Sequence, residues 1–291
     1  MGLRIATNIQ SITAQRNLSG ASEANQQSME RLSSGYRINR AADDAAGLGM
    51  SEKFRADIKG LGVAKRNAND GISLIQTAEG GLNEVGNILS RLRELAVQSS
   101  SDTIGETERG FLNKEFTQLR EEVTRIAEST EYNGIKLVNG AGGDEKKLDV
   151  QVGKNFAKDV DNGDAPVNVV KLDFTKINAS VGEEGLGIGG DDVGVDKKSN
   201  AQNSISVIDS AIEKVSGHRA TLGSLQNRLG STINNLAIAI ENTAASNSRI
   251  RDTDFADETA KMTQSSILKQ AGVSVLTQAN SVPSLAIRLL G

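Results

Sequence analysis

Residues 205–240 read ISVIDSAIEKVSGHRATLGSLQNRLGSTINNLAIAI, and this stretch decides the fold. Within it Ile205, Ile208, Ile212 and Val215 are followed by Leu222, Leu225, Leu229, Ile233, Leu236 and Ile240, at intervals mostly of three and four. Apolar residues at that spacing line one face of a helix. Sustained over about ten turns, they predict a coiled-coil-like rod of roughly 50 Å or more.

A rod with one apolar face needs partner helices, and the same periodicity recurs upstream. Leu82, Val85, Leu89, Leu92 and Ala96 form one strip, and Leu112, Phe116, Leu119, Val123 and Ile126 form another, which predicts two long helices with a turn near Asp102–Glu106. Further upstream, Ser33–Gly49 breaks the pattern and reads as a spoke or linker. Asp43 or Asp44 is then placed to cap a helix carrying Met50, Phe54, Ile58 and Leu61. A metal reading of the paired aspartates lacks the remaining hard oxygen ligands at any loop spacing.

Both chain ends continue the helical theme. Ile5, Ile9 and Ile12 share a face, with Arg16 where the next apolar residue is expected, and a strip on so polar a segment must be covered by another helix. After Asp252–Glu258, a capped helix runs through Met262, Ile267, Leu268, Ala271, Val275 and Leu276. Pro283 and Gly291 then bracket Leu285, Ile287, Leu289 and Leu290. A monomer ending this way exposes a sticky tail, so Ile5, Ile9, Ile12, Leu268, Val275, Leu276, Leu289 and Leu290 are expected to form an assembly seam covered by neighbouring subunits.

From about Asn139 to Asn200 the character changes. Leu148–Val152 and Val167–Leu172 read as strands, joined through a loop containing Asp161–Asp164. The glycine-rich run Gly182–Asp196 lacks the Lys and Ser/Thr of a phosphate loop and reads as a flexible surface turn. With so sparse a core, this region is expected to lean on the helices. The fold class is therefore mainly α: a long coiled-coil-like helical bundle formed by both chain ends, with a small β-hairpin region in the middle.

Composition excludes several functions. The 291 residues contain no Cys, which removes thiol catalysis, disulfides and thiolate metal sites, and no Trp, so the apolar payload is aliphatic. The net charge of −4 comes without a long basic run, so nucleic acid is not an expected partner. No apolar run is long enough to cross a bilayer and no basic-then-apolar leader opens the chain, so no membrane insertion is expected and any export must use another route. His218, the sole histidine, cannot build an imidazole cluster, and no nucleophile motif appears. No catalytic residues, cofactor or metal are expected. Arg91, Arg93 and Glu94 read as solvated salt-bridging charges, and Asn178-Ala179-Ser180 has the N-glycosylation spacing without other support.

Several separated signatures nonetheless resemble bacterial flagellin. They are Ile5–Asn8, Arg31–Gly35 through Ile38–Asn39 and Asp43–Leu48, Arg91–Gln98, Tyr132–Leu137, Arg249–Ala256 and Gln278–Asn280. The likeness covers roughly the first 140 and the last 90 residues, in order. It implies an exported structural subunit that polymerises into the helical tube of the flagellar filament for swimming. Such a subunit passes through the flagellar type III apparatus, with an export chaperone, a filament cap and hook-filament junction proteins as partners, and resides outside the cell. Residues 1–42 and 257–291 would form an inner layer. Residues 43–256 would form the outer tube, with long helices in 43–140 and 200–256 and a β-hairpin and variable region at 141–199, a short form lacking large outer domains. The resemblance further implies that Arg91, Leu95 and Glu115 match positions that in some flagellins contact the host innate receptor. A hook-filament junction protein is an alternative with the same terminal logic. A secreted toxin or hydrolase on filament-like ends would need a central catalytic domain that residues 141–200 do not show.

Overall fold

The computed structural model describes residues 7–140, 147–155, 168–190 and 192–290, with backbone alone for 282–290. The chain divides into two compact units, Met1–Ile58 with Glu241–Gly291, and Lys59–Ile240.

Among the described residues five helices carry the chain: α1 Ile9–Ser34, α2 Ala45–Ser99, α3 Glu106–Ser129, α4 Lys198–Arg251 and α5 Phe255–Leu290. Their ends follow capping chemistry. The Asn8 side chain accepts from the Ser11 amide (3.1 Å) to start α1, and Gly35, at φ 75°, stops it while its amide donates to the Arg31 carbonyl (2.8 Å). The two aspartates divide the labour at the next start. Asp44 caps α2 by accepting from the Gly47 amide (2.9 Å), whereas Asp43 accepts from the Asn39 and Arg40 amides (3.1 and 2.9 Å) and closes the turn before it. Those amide bonds, Arg40 first, hold the Asp43 carboxyl below its ordinary pKa. Asp254 repeats the cap for α5, accepting from Ala256 at 2.9 Å.

α2 and α4 are each longer than their apolar strips suggest, 55 and 54 residues, or about 80 Å. The two patterns at Met50–Leu61 and from Ile72 onward belong to one helix that runs through Gly60 and Gly71. A Cβ on Gly71 would stand only 3.3 Å from Leu229 and 3.4 Å from Val150, so the glycine is the point at which α4 and a strand approach α2 closely. Packing there outweighs the helix penalty of glycine, roughly 1 kcal/mol.

The second unit packs α2 antiparallel to α4, with Arg93 paired to Asp209 (2.6 Å) and Glu79 near Arg219 (3.9 Å). α3 folds back along α2, as the Arg91–Glu115 pair shows. One cluster forms the core: Leu82, Val85, Leu89 and Leu92 of α2, Phe116 and Val123 of α3, and Ile208, Leu222 and Leu229 of α4. The strands complete it. β1 Glu131–Tyr132 and β2 Ile135–Lys136 form a hairpin through Asn133–Gly134, at φ 51° and 80°, the left-handed pair that suits a two-residue turn. β3 Lys147–Gln151 pairs antiparallel with β4 Val169–Asp173, Lys147 opposite Asp173 and Gln151 opposite Val169. These are the two expected strands, shifted by one or two residues, and the expected loop at Asp161–Asp164 lies outside the described residues.

The glycine-rich segment departs from its reading as a flexible surface turn. Leu186, Ile188, Val193 and Val195 are all buried in the helical core cluster. Its aliphatic residues alternate with glycines, and burial of those side chains holds the backbone in place.

Candidate assembly surface

In the first unit α1 and α5 run antiparallel. The Asn8 side-chain amide donates to the Ala279 carbonyl (2.9 Å), Leu18 lies against Gly272, the Asn25 amide donates to the Met262 carbonyl (3.2 Å), and Arg31 stands 3.7 Å from the buried Glu258. On α5, the α1-facing side is therefore Glu258, Met262, Gly272 and Ala279. At 3.6 residues per turn the opposite side carries Ala256, Ala260, Thr263 and Ile267, which line an exposed apolar face with Phe255 at its edge. A second groove follows α1 and α5 themselves and is lined by Ala14, Leu18, Ala21, Leu268, Gly272 and Val275. A helix with apolar residues on two opposed sides is built for two neighbours, and α1 supplies one.

The seam residues fall on this pair. Ile9, Ile12, Leu268 and Val275 are each more than half exposed, and Leu276 is half-buried. Ile5 and the side chains of Leu289 and Leu290 lie outside the described residues. Phe255, Ile267, Val273 and Met29 are comparably exposed and were absent from the expected seam. Ala256 follows closely on the capping Asp254, so the spacing Ala256, Ala260, Thr263, Ile267 could have signalled a second face.

A clasp joins this pair to the ends of α2 and α4 within the same unit. Arg251 stacks on the Tyr36 ring (4.5 Å) and pairs with Glu52 (2.8 Å), its carbonyl accepts from the Arg37 amide (2.6 Å), and the Thr253 amide donates to the Gly35 carbonyl (3.0 Å). The Arg251 hydrogen bond holds the Glu52 carboxyl below its ordinary pKa.

The other expected contact residues lie in the second unit. Arg91 donates to Glu115 (3.0 and 2.8 Å) and to Glu94 (2.9 Å), and these bonds, Glu115 first, raise its pKa. Arg91 and Glu115 are exposed and paired. Leu95 is only 1% exposed and belongs to the core, so it offers no apolar surface to a partner in this conformation. Helical register explains it: Leu95 lies three residues after Leu92, on the inward strip. Asn178 turns its side-chain oxygen back onto the Ser180 amide (2.9 Å) and packs against Gly140, which occupies the glycosylation spacing with a turn. Among the described residues no group of three or more metal-binding side chains comes together, and no helix is long and apolar enough to cross a membrane.

Two family regions match the chain, the bacterial flagellin N-terminal helical region at residues 5–142 and the C-terminal helical region at 205–290. A flagellin of Halalkalibacterium halodurans is 45% identical over 97% of this chain and 98% of its own length. This chain belongs to the bacterial flagellin family. As a flagellin it is a structural filament protein, the subunit that polymerises into the helical tube of the bacterial flagellum. Flagellin D of Vibrio cholerae is 39% identical with full coverage of both chains, but over 377 aligned positions against the 291 residues of this flagellin, so the present chain is a short form. A solved structure of a hook-associated protein from Vibrio parahaemolyticus shares the fold, with a TM-score of 0.55 at 12% identity, over 72% of this flagellin and all of that chain.

Proposed function

We propose that this flagellin leaves the cell through the flagellar type III apparatus and works extracellularly as a two-layer subunit. Residues 1–42 and 257–291 make the inner layer and 43–256 the outer tube. The observation that carries the reading is the second apolar face of α5: Ile267 points away from α1, Phe255 sits at the edge of the same face, both stay exposed, and a second copy of the chain covers them. An export chaperone shields the same residues before assembly, and hook-filament junction and cap proteins seat the first and the newest subunits. On the free subunit, Arg91 and Glu115 present paired charge to the host innate receptor for flagellin, with Leu95 supporting them from beneath.

The test is seeded reassembly of heat-dissociated protein, followed by electron microscopy. The wild-type chain is expected to form long uniform tubes, while Ile9→Asp and Val275→Asp chains are secreted in normal amounts and stay unassembled. Normal filament yield from both variants overturns the reading. Receptor contact is tested separately by binding of the Arg91→Ala monomer, and unchanged binding removes Arg91 as an anchor.

A further inference from the structure

The segment between β4 and α4 lies outside both matched family regions, which stop at residue 142 and resume at 205. Its side chains are nevertheless among the most deeply buried in the second unit: Leu186, Ile188 and Val195 are 1% exposed or less. Its backbone is gripped by three helices at once. The Ser204 hydroxyl of α4 accepts from the Gly194 amide (2.9 Å) and donates to the Gly194 carbonyl (3.0 Å). Asn113 of α3 accepts from the Val195 amide (3.2 Å), and Ser99, the last residue of α2, donates to the Val195 carbonyl (2.7 Å). A fourth tie runs from the Lys214 ammonium to the Gly185 carbonyl (2.8 Å).

Ser99 and Ser204 are fully buried on helix faces that are otherwise apolar. A buried hydroxyl without a partner is costly, and at both serines the Gly194–Val195 peptide supplies the partner. The same end of the unit carries two further closures. Arg109 donates to the Ser99 and Ser101 carbonyls (3.0 and 2.9 Å), covering the end of α2, and Lys198 pairs with Asp102 (2.7 Å).

We propose that residues 180–190 and 192–196 act as a strap that closes the shared end of α2, α3 and α4: Leu186, Ile188 and Val195 plug the core, and Gly194–Val195 fixes the three helices in register. The strap lies between the two matched regions. It goes beyond the filament reading and is testable on the monomer, so failure of polymerisation and failure of the strap are separable.

The experiment is native-state hydrogen exchange on the full-length monomer. Ile188→Ala combined with Val195→Ala is expected to speed amide exchange in α3 and in the last turns of α2 by about tenfold, with α1 and α5 unchanged, because local opening follows local contact loss. Val85→Ala, in the same core but about four turns before the end of α2, serves as the comparison and is expected to loosen the second unit evenly. Should the double variant not fold, Ser204→Ala carries the test alone, since it removes only the grip on Gly194. The strap is overturned if the variant measured changes α3 exchange by less than about twofold, or loosens α3 no more selectively than Val85→Ala does.

Discussion

Replacing Ile267 with Ala separates assembly energy from monomer stability. The side chain is 60% exposed on the face of α5 turned away from α1, so the free subunit loses almost nothing when it is shortened. The substitution removes three carbons, worth about 0.8 kcal/mol each when fully buried; with 60% of the residue still open to cover, the loss on polymerisation is about 1.4 kcal/mol. That corresponds to a rise of about tenfold in the critical concentration for seeded assembly. Sedimentation of polymer across a dilution series measures it, and thermal unfolding of the monomer followed by circular dichroism is the control. A critical concentration within about twofold of wild type, with unchanged melting, refutes the idea that a neighbouring subunit covers this face. A lowered monomer melting temperature refutes it differently, by showing that Ile267 supports the free subunit.

Three further outcomes are expected. Gly81→Ala lowers the melting temperature despite a helix-propensity gain of about 1 kcal/mol, because the new Cβ would stand 2.6 Å from the Thr130 hydroxyl, itself anchored to the Ile126 carbonyl (2.7 Å); the neighbouring Gly80→Ala, with nothing within 4 Å, raises it. His218 is half-buried, and desolvation, then Lys214, hold its pKa below the ordinary 6.5. The folded state thus binds fewer protons in that window, and the contribution of His218 is complete above 6.5 and lost as pH falls through the folded value. His218→Gln should flatten that part of the melting-temperature profile. Arg251→Lys keeps a charge for Glu52 but loses the planar stack on Tyr36, costing about 1 kcal/mol in denaturant unfolding, and the loss should vanish in a Tyr36→Leu background.

Much of this architecture is legible in the order of residues because helical packing has a short period. The strips from Leu82 to Ile126 and from Ile205 to Ile240 mark the core helices directly, and the α2–α3 turn falls where the strip breaks. What escaped depends on contacts distant in sequence. The helix runs unbroken through Gly60 and Gly71 because the middle of the chain docks there, which no local window contains. The Asn133–Gly134 turn carried its own signal, Asn-Gly between Tyr132 and Ile135, and would have yielded β1 and β2. The glycine-rich segment misled because glycine content speaks of backbone freedom, while the buried aliphatics between the glycines decide where the backbone goes. On the assembly surface, period alone cannot tell which of two apolar sides of α5 faces α1. The inward placement of Leu95, by contrast, was implicit in its register with Leu92.

The clasp around Arg251 has a consequence for how long such chains can be. Asn8 and Ala279 are hydrogen-bonded across 271 positions, and joining the ends of so long a flexible chain would cost on the order of 5 kcal/mol in closure entropy. Once Tyr36 and Gly35 are tied to Asp252 and Thr253, however, α1 and α5 are the two arms of a short hairpin, and the length of chain beyond the tie no longer enters. Residues can then be gained or lost in the middle without weakening the pairing of the ends. A chain of 291 residues and a relative aligned over 377 positions can therefore keep the same terminal helices.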